Sequence, residues 1–226
     1  MHLIHHNKLA DTPNIKITQH KYGCQVTMRH STGEMSYDHS FTDSQFINRL
    51  TQNNQALFKA SDNKQKKIKT VMDITAGWGI DAFLLASRGK KVTMIEQNPD
   101  LVACIQYALI KAADHPLTRD ITQLITVLNL NALQHLRSYS GEPPDCIYID
   151  PMFPERKSYA QSGKDLQILQ AITYNRDLET CMDLALKLAT KRVVVKRPLK
   201  SENFAALKPD IIYREKSVRF DVYLTI

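Results

Sequence analysis

The chain has 226 residues, enough for one large domain or one domain with an appendage, and its 43% hydrophobic and 23% charged content excludes wholesale disorder. Seven glycines and nine prolines exclude collagen-like and low-complexity architectures. The net charge of +7 favours polyanionic partners, and most of it falls between Lys187 and Ile226, where ten Lys or Arg stand against four acids.

Residues 1–62 are polar and form a small expected N-terminal β/α appendage. Alternation at Ile15-Lys16-Ile17-Thr18 and Gln25-Val26-Thr27-Met28 predicts a hairpin around the Lys21-Tyr22-Gly23 turn. Ser40-Phe41-Thr42-Asp43 predicts a helix start, with the helix running to Lys59. Residues 61–67 read as a linker, and residues 63–226 as the main domain.

There the rhythm becomes strand, helix, strand, helix. Strands are expected at 69–73, 91–96, 125–128, 146–149 and 192–196, with helices at 81–87, 99–113, 165–173 and 178–189. Two consecutive strands, 211–216 and 220–226, end the chain. This alternation predicts an α/β fold with a mostly parallel, doubly wound sheet and an antiparallel element at its C-terminal edge.

Cys24, Cys104, Cys146 and Cys181 form no C-x-x-C pair, which speaks against a zinc ribbon. His2, His5 and His6 lack suitably spaced partners, so no metal is expected. No apolar run approaches eighteen residues and no leader opens the chain, so the expected location is the cytoplasm, with no membrane partner.

Asp73-Ile74-Thr75-Ala76-Gly77-Trp78-Gly79-Ile80-Asp81-Ala82 joins the first core strand to its helix. Gly77 and Gly79 permit a tight turn and close approach of the backbone to a ligand. Glu96 ends the second strand, where an acid can accept from both ribose hydroxyls of a nucleoside. Gly77-x-Gly79-x-x-Ala82 also satisfies the dinucleotide pattern, so a nicotinamide-dependent oxidoreductase stays open. Trp78 can line the ligand site or plug the top of the sheet.

Cys146-Ile147-Tyr148-Ile149 runs into Asp150-Pro151-Met152-Phe153-Pro154. A segment leaving the carboxyl end of a parallel strand lies at the mouth of the site. Asp150 can accept from an exocyclic amine, and Phe153 can stack on a flat base. Both are candidate catalytic residues for amine methylation of a nucleobase. Packing of Met152 and Phe153 into the core is the plainer alternative.

Asp73 to Gly79, Asp150 to Pro154, Thr190-Lys-Arg-Val-Val-Val-Lys-Arg-Pro198 and the closing Arg219-Phe-Asp-Val-Tyr223 together resemble the bacterial 16S ribosomal RNA guanine-2-amino methyltransferase J family. The resemblance spans about residues 71–226. It implies a class I, Rossmann-like methyltransferase that uses S-adenosyl-L-methionine on a guanosine near the 3′ end of 16S rRNA. By motif it places cofactor contacts at Ile80, Asp81, Glu96, Gln97, Asn131, Ala132 and Asp150, beside Gly77 and Gly79. The family carries arginine where Ile80 and Gln97 stand here, and serine at Ala132.

Lys196 and Arg197 leave the carboxyl end of the fifth strand and are candidates for RNA phosphate contact, against a plain solvated face. A non-catalytic RNA-binding protein on a methyltransferase fold is the remaining alternative.

Overall fold

Short apolar runs between amphipathic helices let strands bury both faces, and a computed structural model shows the resulting sheet. Residues 14–30, 33–52, 55–62, 67–151, 167–169 and 177–225 are described. The strands are β4 (Thr70–Asp73), β5 (Lys91–Glu96), β6 (Ile125–Asn129), β7 (Cys146–Ile149), β8 (Arg192–Pro198), β9 (Ile211–Arg214) and β10 (Val218–Leu224). Their spatial order is β6-β5-β4-β7-β8-β10-β9. Strands β4 to β8 run parallel. The antiparallel member is β10, paired to both β8 and β9, so β9 holds the edge itself.

Period-two alternation sends Tyr148, Val194 and Phe220 to one face and Ile147, Ile149, Val193 and Val195 to the other. Helix α3 (Ile80–Ala86) covers the first face. Helices α6 (Ala132–Arg137) and α7 (Leu178–Leu188) cover the second. Helix α4 (Pro99–Ala113) starts from Asn98, whose side chain accepts from the Asp100 and Leu101 N–H groups, and a short α5 (Arg119–Thr122) precedes β6.

The expected hairpin is present as β1 (Asn14–His20) and β2 (Gly23–His30), and β3 (Gly33–His39) adds a third antiparallel strand. A Cβ on Gly23 would collide with the His39 carbonyl, so the turn requires glycine. Cys24, Val26 and Met28 pack with Leu101, Cys104 and Trp78. Trp78 thus plugs the junction between this sheet and α4, with its ring 4.9 Å from Tyr37 and 5.4 Å from His39.

The single helix expected to reach residue 59 is instead two, α1 (Ser44–Thr51) and α2 (Ala56–Ala60). Asp43 caps α1 by accepting from the Phe46 N–H at 2.8 Å, and the helix ends where Gln52 turns extended, its N–H donating to the Arg49 carbonyl. Phe41, Phe46, Leu57 and Phe58 share one core cluster with Phe83, Tyr148 and Phe220. Each such buried ring contributes about 1.5–3 kcal/mol, so residues 41–52 and 55–60 form a wall of the main core. Helix 165–173 lies largely outside the described residues, of which 167–169 are helical.

His39 is fully buried against Phe41 and Trp78, and both ring nitrogens lack a hydrogen-bond partner. Burial lowers its pKa to about 3. An unfolded histidine takes its proton near pH 6.5, so this site's stability is complete above that value and is lost as pH falls toward 3. The loss approaches about 1.4 kcal/mol per pH unit within that window. His39→Phe keeps the ring and removes the titration, so it should resist acid better. Melting temperatures from about pH 7 to 4 check this, and parallel curves for the two proteins would exonerate His39.

Candidate active site

The strand order reverses between β4 and β7, and the crevice at their carboxyl ends is where an open sheet of this kind binds ligands. Here β4 passes into the glycine turn. Gly77 and Gly79 have φ of 54° and 73°, and a Cβ on Gly79 would press Met94 and Phe41 at 3.2–3.4 Å. Glu96, 4% exposed, secures the turn from β5. Its Oε2 accepts from the Gly77 N–H at 3.0 Å and its Oε1 from the Asn98 N–H at 2.9 Å. Burial raises the Glu96 pKa despite these bonds. The Gln97 N–H also contributes a hydrogen bond; a carboxylate offers about four lone-pair sites, so acceptor capacity remains for a hydroxyl group.

Around Glu96 the amides form a fixed frame. Asn129 donates to the Glu96 and Gln97 carbonyls at 2.9 and 3.1 Å. Asn131 donates to Gln97 Oε1 at 2.9 Å and accepts from the Gln134 N–H at 3.1 Å, capping α6 just ahead of Ala132. The cleft has apolar walls from Ile74, Ile95, Leu130, Ala132, Leu133 and Leu178, and polar groups at Thr75, Glu96, Gln97 and Asn131. Among the described residues no Lys or Arg lines it, and a second carboxylate, Asp177, does. That chemistry suits a nucleoside without phosphates. A pyrophosphate would also meet the buried Asp81 carboxylate in the first turn of α3, where a dinucleotide fold needs neutral backbone donors.

Beside the cleft lies a second cluster. Lys196 Nζ donates to Asp81 Oδ2 and to Asp150 Oδ2, both at 2.8 Å. The Tyr148 hydroxyl donates to Asp81 Oδ2 at 2.7 Å, and Arg49 from α1 reaches Asp81 Oδ1 at 3.4 Å. Burial works against the Asp81 charge, but Lys196 and Arg49 outweigh it and hold the carboxyl below its usual range. Asp150 moves the other way, raised by burial and by Asp81 against the pull of Lys196. Thr75 links the strands: its hydroxyl accepts from the Asp150 N–H at 2.6 Å and donates to Asp73 Oδ1 at 3.2 Å.

Asp73 is raised to about 8 by burial, with the Asp81 and Asp150 charges adding to it. The unfolded carboxyl gives up its proton near 3.8 while the folded one keeps it, so the stability from this group is complete below 3.8 and fades as pH climbs to about 8. Asp73→Asn keeps the acceptor for the Thr75 N–H and carries no charge. Denaturant midpoints should therefore show the variant gaining on the wild type between about pH 5 and 8. A constant difference across that range would place the proton elsewhere.

The structure brings Glu96, Gln97, Asn131 and Ala132 together on the cleft wall and ties Gly77 to Glu96, while Gly79 lies against Met94 and Phe41, and Asp81 and Asp150 stand in the neighbouring cluster. Two expected features differ. Ile80 packs among apolar residues, so its side chain makes no polar contact. Lys196 and Arg197 do not form a phosphate-facing pair. Period two points them to opposite faces of β8; Lys196 is engaged by two carboxylates, and Arg197 is buried with its guanidinium donating to the Glu202 carbonyl at 2.8 Å. Much of the basic C-terminal excess is structural in the same sense. Arg192 donates to the Ala60 and Asp62 carbonyls, and Arg219 forms a buried ion pair with Asp221 at 2.8 Å. Phe153 lies outside the described residues.

Sequence reasoning did not find Tyr148, Thr75 or Arg49. Tyr148 carried a usable signal, since it precedes Asp150 by two and shares its strand face. Arg49 carried none, because its place depends on α1 docking beside α3.

A family profile described as "Putative SAM-dependent methyltransferase" matches residues 3–225. Curated relatives include a ribosomal RNA small subunit methyltransferase J from Nitrosococcus oceani, 36% identical over 76% of this chain and 68% of its own length. One of the same name from Aeromonas salmonicida is 39% identical over 75% of this chain and 69% of its own length. A third, from Dechloromonas aromatica, is 38% identical over 68% of this chain and 63% of its own length. The chain thus spans about two thirds of the length of such relatives, and less for some. Among solved structures, a SAM-dependent methyltransferase from Neisseria gonorrhoeae superposes with TM-score 0.70 at 29% identity, covering 96% of this chain and 85% of that one.

Proposed function

The chain belongs to the S-adenosylmethionine-dependent methyltransferase family, and from that premise we propose that it methylates the exocyclic 2-amino group of a guanosine near the 3′ end of 16S rRNA. One observation carries the reading: a cleft with apolar walls, lined by no lysine or arginine among the described residues and carrying a spare-acceptor carboxylate at Glu96, opens beside the lysine-held carboxylate of Asp150. S-adenosylmethionine, when bound, supplies an electrophilic methyl on a sulfonium. Glu96 would hold the ribose hydroxyls, while the Gln97 and Asn131 frame would flank the base between Ile95 and Leu133. Asp81 retains acceptor capacity at Oδ1, where Arg49 approaches only to 3.4 Å.

Asp150 would accept from the guanine amine, whose lone pair is otherwise delocalised into the ring. Drawn toward the acceptor, the nitrogen can attack the methyl as the carbon–sulfur bond breaks. The resulting ammonium is acidic, and Asp150 or water takes its proton. Orientation supplies most of the rate, since no strong base is required. The substrate is 16S rRNA or the small ribosomal subunit, which places the reaction in the cytoplasm. No described helix is long and apolar enough to cross a membrane.

Mapping methylated guanosines in small-subunit rRNA, with and without the protein, tests the reaction. Calorimetry with S-adenosylmethionine and with NAD tests the cofactor: binding of the first alone is expected. Binding of NAD alone would revive the oxidoreductase reading.

A further inference from the structure

We propose that Lys196 is a positioning residue for methyl transfer, holding the Asp150 carboxylate charged and aimed at the substrate amine through a three-centre bridge anchored on Asp81. The inference rests on the reading of Asp150 given above.

The bridge follows from strand register. In the parallel pair β7–β8, Ile149 is opposite Val195, so the next residues out, Asp150 and Lys196, meet at the carboxyl ends. Lys196 shares its face with Val194, toward α3, and α3 places Asp81 there in its first turn. The ammonium lies 2.8 Å from each carboxylate, with its side chain only 24% exposed. Tyr148 and Arg49 hold Asp81 from the other sides, so Asp81 is the fixed end and Asp150, whose side chain is 33% exposed, is the more open end, beside the cleft-lining Thr75. Thr75 fixes the Asp150 backbone, which leaves the carboxylate direction to Lys196.

Charged or titratable groups facing this pair are Asp81 on α3, Arg49 on α1 through Asp81, Tyr148 on β7 and Asp73 on β4. From β10 the register partner of Lys196 is the uncharged Phe220. The bridge therefore has opposite electrostatic levers on its two sides. Removing the ammonium leaves Asp150 beside Asp81 alone, which disfavours its charge. Removing the Asp81 charge leaves the ammonium wholly to Asp150, which favours it.

The test is the pH profile of kcat at saturating S-adenosylmethionine for 16S rRNA methylation, alongside an NMR titration of the Asp150 carboxyl in the ligand-free protein, assigned with Asp150→Asn. Lys196→Met should move the acid limb and the carboxyl titration to higher pH by about 1–3 units. Lys196→Arg should restore most of the wild-type position. Asp81→Asn should move both to lower pH. If Lys196→Met fails to fold, the downward shift in Asp81→Asn still decides the matter by NMR. A uniform loss of rate with unmoved limbs and titrations, while Asp150→Asn is inactive, would overturn the proposal alone. Wild-type turnover by Asp150→Asn would overturn the underlying reading of Asp150 and the proposal with it.

Discussion

Asp150→Asn should reduce kcat by roughly two to four orders of magnitude at neutral pH, the range associated with a positioned proton acceptor. Asparagine keeps one acceptor oxygen but loses the charge, and it turns a competing N–H₂ donor toward either the substrate amine or Lys196. The fold should survive, because the Asp150 N–H still reaches Thr75 and Lys196 keeps Asp81. Cofactor affinity should fall less than turnover. Single-turnover methylation of rRNA, with S-adenosylmethionine titrated separately, separates these effects. A rate within about threefold of wild type would leave Asp150 a structural strand terminus.

Glu96→Ala should weaken S-adenosylmethionine binding by roughly tenfold to a hundredfold or more, since each hydrogen bond to a charged acceptor contributes about 1.5–3 kcal/mol. The geometry adds a second consequence. The same carboxylate holds the Gly77, Asn98 and Gln97 N–H groups, so its loss leaves these backbone donors without their partner in a buried turn. Each costs about 1–3 kcal/mol unless water replaces the oxygen, and the melting temperature should drop as well. Glu96→Gln separates the roles: its oxygen can serve one N–H while its amide opposes another. Calorimetric titration with thermal melts on both variants checks this. An unchanged cofactor affinity together with lowered stability would make Glu96 only a brace for the glycine turn.

What could be read along the chain was whatever depends on near neighbours. The strand–helix alternation, the positive-φ glycines and the acid closing β5 each follow from periodicity or local backbone chemistry; the described strands, the helices after β4 and β5, the glycine turn and that acid stand where the pattern put them, whereas α6 between β6 and β7 was not expected. The N-terminal segment was harder. Glu34-Met35-Ser36-Tyr37 alternates only briefly, so β3 is stabilised by its ladder with β2 more than by its own pattern. The α1–α2 break follows from what Phe46 and Leu57 each bury, which no local propensity encodes.

The doubly wound sheet, the glycine turn and the acids at the ends of β5 and β7 are legible from residue pattern along the chain. Local pattern misread Lys196 and Arg197, because adjacent basic residues at a strand end look like a solvated pair whatever the neighbouring strands carry. Packing of the folded chain sets one against Asp150 across a strand pair, 46 residues away in sequence, and turns the other to the opposite face to hold the Glu202 carbonyl. The reason is physical. A strand's own period fixes which residues share a face, but the charge state and partner of a buried end depend on the register of the next strand and on the helix packed over it, and both are set by long-range burial.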